Sequence, residues 1–263
     1  MIKRIAVIAF YILLPAGVFI LLGFAVESNK SMPCRSFRVN IDTSGGLSFL
    51  DSNAVVKQVY SIMDTLEGKK FRDISLNRIE ELVNTMYYVD KSRVYRTIDG
   101  HLNVDIRQRV PIARVINRVN ETFYIDTRGK LMKPSGSYTA RVLVVTGFVN
   151  TRYSPGVSIG KFENSTELSS SDNVLKELNE LVKYIRNDEF LHAWIDQIYV
   201  TRQGQFELVP RNGAHIIEFG NVNEMEEKFD KLMKFYINGL THVGWGSYKR
   251  INLQYKNQVV CSK

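Results

Sequence analysis

From Ile5 to Val26 the chain runs through 22 positions without a charged residue. As a helix rising about 1.5 Å per residue, such a run spans roughly 33 Å, which matches the ~30 Å hydrocarbon layer of a bilayer. The segment is therefore expected to be a membrane-spanning helix. Pro15 does not oppose this, because a kink inside a membrane span can be re-satisfied locally. A cleaved signal peptide is the competing reading, since Lys3 and Arg4 supply a positive start. The apolar run is longer than the usual h-region, however, and no A-x-A cleavage site follows it. A retained anchor is the reading taken. By the positive-inside rule the tip, residues 1–4, stays in the cytoplasm and everything after the span at 5–26 lies outside. No second run of similar length occurs, so the protein is expected to cross the membrane once.

The remaining length suits two modest domains. Ser36-Phe37-Arg38-Val39-Asn40-Ile41 alternates apolar and polar residues, the period of a half-buried strand, and Gly45-Gly46 ends it. Asp51 and Ser52 offer N-cap oxygens to a helix carrying Val55, Val56, Val59, Tyr60 and Met63. After Gly68, Ser75 can cap a second helix with Leu76, Ile79, Leu82, Val83 and Met86 on one face. Strand patterns at 88–97 and 102–109 then flank Asp99-Gly100, a tight-turn pair. Strand, helix, helix, strand, strand describes a small α+β unit with both helices on one face of the sheet. Arg109-Val110-Pro111 interrupts the pattern, because proline restricts its neighbour and cannot donate to a ladder. The boundary is placed there, giving domains at 35–109 and 110–263.

The second domain reads as mainly β with two helices. Strands are expected at 112–119, 123–126 and, past Arg128-Gly129, at Leu131, then at 141–146; hairpins fit this spacing. Val174, Leu175, Leu178, Leu181, Val182 and Ile185 trace one helical stripe, with Ser170, Ser171 or Asp172 as caps. Strands at 195–201, 206–210 and 214–219 form a meander through Gln203-Gly204 and Asn212-Gly213. A last helix with Met225, Phe229, Leu232, Met233 and Tyr236 is expected to stop near Gly239. Residues 248–260 read as one terminal strand, with Ile251, Leu253 and Tyr255 alternating against polar neighbours. At the end of the chain it is a candidate edge strand, able to accept a strand from another protein.

Chemistry-bearing motifs are weak. Gly156-Val157-Ser158-Ile159-Gly160 matches G-x-S-x-G, which makes a membrane-anchored serine hydrolase using Ser158 the enzymatic alternative. That motif needs a strand leading directly into a helix, whereas Ser154-Pro155 before it and the polar stretch after it read as a loop. His101, His192, His215 and His242 have no metal spacing, and Glu224, Glu226 and Glu227 read as complements to a helix dipole. Cys34 and Cys261 do not make a disulfide framework. A net charge of +8 is spread along the chain, so no nucleic-acid patch is expected. No catalytic, cofactor-binding or metal site is expected, and a non-enzymatic protein that binds other proteins is the reading taken.

The segment Leu102-Asn103-Val104-Asp105-Ile106-Arg107-Gln108-Arg109-Val110-Pro111-Ile112-Ala113-Arg114 resembles the junction between the two extracytoplasmic domains of the FtsQ/DivIB family of bacterial division proteins. Phe123-Tyr124-Ile125-Asp126 with Gly129, and Ile251-Asn252-Leu253-Gln254-Tyr255, stand at matching places. The family often has Asp where Asn252 stands and Arg where Gln254 stands. The resemblance implies a short cytoplasmic tip, one span of the inner membrane, a POTRA domain of order βααββ serving recruitment, and a β domain. It also implies a non-enzymatic scaffold of the divisome with its other proteins. Its partners would be small single-pass coiled-coil division proteins, FtsB-like and FtsL-like, which it would link to septal peptidoglycan synthesis. Partner binding is by strand addition to the last strand, which carries over to Tyr255, Lys256, Asn257, Gln258, Val259 and Val260. A third reading, a POTRA-containing transport or secretion component, would call for a long carboxy-terminal barrel.

Overall fold

A computed structural model of the protein describes residue 17, residues 31–159 and residues 170–263. The span expected at 5–26 lies outside the described residues, apart from Gly17. Among the described residues no helix is long and apolar enough to cross a membrane. The chain divides into two compact units, Met1–Gln108 and Arg109–Lys263.

In the first unit, β1 (Ser36–Asp42), α1 (Ser52–Met63), α2 (Leu76–Asn84), β2 (Val89–Arg96) and β3 (His101–Gln108) follow one another in that order. Asp51 accepts from the Ala54 N–H at the start of α1, and Ser75 does the same for Arg78 in α2, so both expected caps form. The sheet order is β1-β3-β2, with β1 parallel and β2 antiparallel to the central strand. Val55 and Val59 of α1, Ile79 and Val83 of α2, and Leu102, Val104 and Ile106 of β3 share one core. Gln108 locks the connection after β1. Its carboxamide oxygen accepts from the Phe49 and Leu50 N–H groups, and its nitrogen donates to the Asp42 and Leu47 carbonyls. This buried side chain meets its hydrogen-bonding needs entirely with backbone.

The second unit holds a nine-stranded sheet of order β12-β11-β10-β9-β8-β7-β4-β5-β6. Its strands are β4 (Pro111–Ile116), β5 (Thr122–Asp126), β6 (Leu131–Met132), β7 (Leu143–Gly147), β8 (Ile195–Val200), β9 (Phe206–Pro210), β10 (Ile216–Gly220), β11 (Arg250–Asn252) and β12 (Val260–Ser262). The helices are α3 (Ser170–Asn187), α4 (Glu189–Trp194) and α5 (Met225–Phe235), the last running on through a π-helical turn at Tyr236–Leu240. Of the expected α3 stripe, Leu175, Leu178, Leu181, Val182 and Ile185 join the core, and Val174 packs against it partly buried. The side chains of 170–172, expected as caps, lie outside the described residues.

Three expectations need correcting. β7 does not form a hairpin with the strand before it. It lies parallel between β4 and β8, and β10 is likewise parallel to β11. Parallel neighbours require crossovers, which α3 with α4 and then α5 provide. The helix does not stop at Gly239, because that residue is a space-maker and not a cap. A Cβ there would lie 2.8 Å from the Phe235 ring, and helical structure continues to Gly244 with its φ of 93°. Finally, residues 248–260 are not one strand. β11 ends at Asn252, Asn257 takes a left-handed φ of 59°, and the chain returns as β12 antiparallel to β11.

The junction motif acquires a physical reason. Arg109 donates from Nε to the Asp126 carboxylate at 2.8 Å and from Nη2 to the Leu131 carbonyl at 3.1 Å. Asp126 also accepts from the Arg128 and Lys130 N–H groups at 2.9 and 2.7 Å. One buried ion pair therefore ties the start of the unit to the β5–β6 turn.

Candidate partner-binding edge

A sheet that ends in solvent leaves backbone donors and acceptors unpaired, and the two edges of the nine-stranded sheet differ in this respect. At the β6 edge the Leu131 N–H donates to the Val157 carbonyl at 3.1 Å, the Ile159 N–H donates to the Gly129 carbonyl at 2.8 Å, and Lys130 bridges to Ser158. That edge is covered by the protein's own chain. At the other end, β12 pairs with β11 and with no further strand among the described residues.

The register tells which groups of β12 face outward. The Ile216 N–H donates to the Lys249 carbonyl, and the Leu253 N–H donates to the Glu218 carbonyl. The odd-numbered residues of β11 thus point toward β10, and Arg250 and Asn252 point toward β12. Opposite them stand Ser262 and Val260, whereas Ile251 faces Cys261. Ile251 and Cys261 form the non-hydrogen-bonded pair, so the N–H and C=O of Cys261 point away from the sheet. The Cys261 side chain packs against the core, and burial pushes its thiol above the ordinary range.

The loop between β11 and β12 is held from α5. The Lys231 ammonium donates to the Leu253 carbonyl at 3.0 Å and to the Tyr255 carbonyl at 2.7 Å. Those carbonyls are thereby withdrawn from any ladder, which is why the expected strand breaks. Of the residues expected to contact a partner, Tyr255, Lys256 and Asn257 form the exposed turn, and Gln258 and Val259 lead out of it. Only Val260 lies in the edge strand. Tyr255 is 51% exposed and Val260 43%, whereas Val259 packs in part against the core. Lys231 escaped sequence reasoning, since a lysine in a helix carries no local sign that it will reach two carbonyls more than twenty residues away.

Polar groups next to this edge are already committed. Arg250 donates to Glu218 through Nε and to Glu207 through Nη2, and this holds its guanidinium above the usual range. Glu207 and Glu218 stand directly opposite each other on β9 and β10, so Arg250 separates two like charges. Asn252 donates to the second oxygen of Glu218. An aspartate at 252 would set a third carboxylate there, which the amide of Asn252 avoids. Gln254 lies over Gly220, where a Cβ would come within 2.7 Å of its Cγ.

Ser158 has no nucleophile-elbow setting. A turn at Pro155-Gly156 precedes it, not a strand, and its own backbone forms the bridge to Lys130. Cys34 and Cys261 are both free thiols.

Two family models match the chain. One, described as FtsQ/DivIB, C-terminal related, covers residues 110–262, and one for a POTRA-like domain covers residues 32–107. No curated protein matches it.

Proposed function

Since the chain belongs to the FtsQ/DivIB family, whose members are generally non-catalytic cell-division proteins, we propose that it is a divisome scaffold that receives an extended segment of a partner protein on β12. The observation that carries this reading is the contrast between the two sheet edges. β6 is covered from within, while β12 leaves the backbone groups of Cys261 facing outward. Backbone hydrogen bonds then give affinity and neighbouring side chains give selectivity. β12 is only three residues long, so the backbone supplies few bonds and much of the contact falls to the Tyr255 ring on the adjoining turn. Aromatic residues suit this task because they bury large area at small entropic cost.

In this reading residues 5–26 anchor the protein in the inner membrane with residues 1–4 in the cytoplasm. The POTRA-like unit serves recruitment, and the partners are the FtsB-like and FtsL-like coiled-coil proteins that link assembly to septal peptidoglycan synthesis. The test is calorimetric titration of the full chain, held in lipid nanodiscs, with the extracytoplasmic segments of those proteins from the same organism. Saturable binding that Tyr255→Ala weakens roughly ten-fold, the scale of one aromatic anchor, supports the proposal. Absence of binding to either segment overturns it.

A further inference from the structure

Three strands, β9 to β11, separate β12 from a cavity at the other side of the sheet. β4, β7 and β8 run parallel, so their amino ends lie together, and the cavity of about 250 Å³ opens there beneath the last turns of α3. Its floor is apolar, made by Ile112, Val182, Ile185 and Ile195, none of which is more than 4% exposed. Its walls carry a different chemistry. Arg141, Arg186 and Arg211 all line it, with His192 beside them and Asp196 as the sole carboxylate among the described lining residues. Asp196 is already taken by Arg211, whose Nη2 lies 3.0 Å from it. Arg141 and Arg186 have no carboxylate partner among the described residues.

The ordinary account of such arginines is a solvated surface. For Arg186 that account has some force, since it sits in the last turn of α3 and there complements the helix dipole. Arg141, exposed just ahead of β7, has no helix dipole to complement. Nor does a solvated surface explain why cationic side chains converge on a cavity whose floor is hydrocarbon. A low-dielectric wall next to charges of one sign focuses their field into the opening. A guanidinium fork also matches a carboxylate or phosphate through two parallel hydrogen bonds.

We propose that this cavity binds a small amphiphilic anion, with its carboxylate or phosphate head between Arg141 and Arg186 and its short apolar body on the Ile112–Ile195 floor. The volume sets the size, because sites for drug-sized ligands run from about 300 Å³ upward. A body of a few carbons fits and a second ring system does not. The head could belong to a free metabolite or to a lipid, and both present the same chemistry to the arginines. The inference does not rest on strand addition at β12.

The test uses the full chain in phosphatidylcholine nanodiscs, titrated calorimetrically with hexyl phosphate, hexanol and inorganic phosphate. Hexyl phosphate should bind one to one and at least about ten-fold more tightly than either fragment, since only it satisfies both head and floor. The double variant Arg141→Gln/Arg186→Gln should weaken it by about the same factor or more, the cost of losing charge-assisted bonds. Val142→Phe, which narrows the cavity and keeps both arginines, should weaken it as well. Cys261→Pro should leave hexyl phosphate binding unchanged, which separates this site from the edge strand. Hexanol binding as tightly as hexyl phosphate would reduce the cavity to an apolar hole, and inorganic phosphate doing so would reduce it to surface charge. Either result overturns the proposal, as does wild-type affinity in both variants. Competition by nanodiscs containing phosphatidylglycerol assigns the site to a lipid head, and its failure assigns the site to a soluble anion.

Discussion

The Lys231 ammonium donates to the Tyr255 carbonyl oxygen at 2.7 Å, and so a helix of the second unit fixes the turn that presents the most exposed aromatic ring beside β12. Lys231→Met keeps the apolar stem and removes both hydrogen bonds to the loop. Bonds to a charged group are worth about 1.5–3 kcal/mol when buried, and this one is partly solvated, so a loss of about 1 kcal/mol in urea unfolding is expected. Partner affinity should fall more than stability does, because the freed turn must be ordered again on binding. A variant that loses stability but binds normally would show that the turn has no part in recognition.

Asp126 holds the entrance to the second unit. Its side chain is 3% exposed and that of Arg109 13%, and removing one partner of such a pair leaves the other charge buried and uncompensated. Asp126→Asn is expected to cost about 3–5 kcal/mol in urea unfolding. Arg109→Lys should cost less than that and still measurably, since an ammonium cannot reach Asp126 and the Leu131 carbonyl with the same fork. Equal stability in all three proteins would remove the ion pair from the account of the junction motif.

The parts of the fold that could be read from the sequence are those whose signals are local. Asp51 and Ser75 cap the helices they precede, Asp99-Gly100 turns β2 into β3, and the Leu175–Ile185 stripe is buried as its spacing requires. Parallel pairing of β4, β7 and β8 could not be read, because the contact joins segments far apart in sequence and leaves no period in either. Gly147 is the one local trace of it. A Cβ there would sit 2.3 Å from the Val200 carbonyl oxygen, but sequence alone does not say what crowds a glycine. At the candidate site the alternation of Ile251 and Leu253 was legible and true, since both are fully buried. The alternation does not continue as strand past Asn252, where Lys231 reaches across from α5 to the Leu253 and Tyr255 carbonyls.

His215 predicts a pH dependence. It is 2% exposed, and its Nε2 lies 2.9 Å from the Tyr236 hydroxyl, which also receives the Trp194 indole N–H at 3.4 Å. The hydroxyl and the imidazole share this buried hydrogen bond, whose direction follows the histidine tautomer. Burial holds the histidine below its ordinary range and pushes Tyr236 up to about 12. A histidine whose folded value is depressed binds fewer protons in the native state than in the unfolded one. Its contribution is fully present above the unfolded value of about 6.5 and is lost as pH falls from there through the folded value. Urea midpoints followed by tryptophan fluorescence should drop as pH falls below about 6.5. Both tryptophans contact Tyr236, so the signal reports on this cluster. His215→Gln should flatten that part of the dependence, and an unchanged slope would place the titration elsewhere.

Strand addition on β12 makes a demand on single backbone atoms that proline can test. Cys261 directs its N–H away from the sheet, while Ser262 directs its own toward Arg250 of β11. Cys261→Pro thus deletes the outward donor and spares the β11–β12 ladder, whereas Ser262→Pro deletes an inward one. The first should lose at least roughly ten-fold in affinity for the partner segment, with a change in urea stability below about 1 kcal/mol. The second should fray β12 from the sheet, seen as faster hydrogen exchange of the Val260 amide, and weaken binding only through that loss of order. If Cys261→Pro binds as wild type while Tyr255→Ala does not, the partner docks on the turn through side chains and the edge is a bystander. If both bind as wild type, neither the edge strand nor its turn is the contact, and the scaffold engages its partners elsewhere.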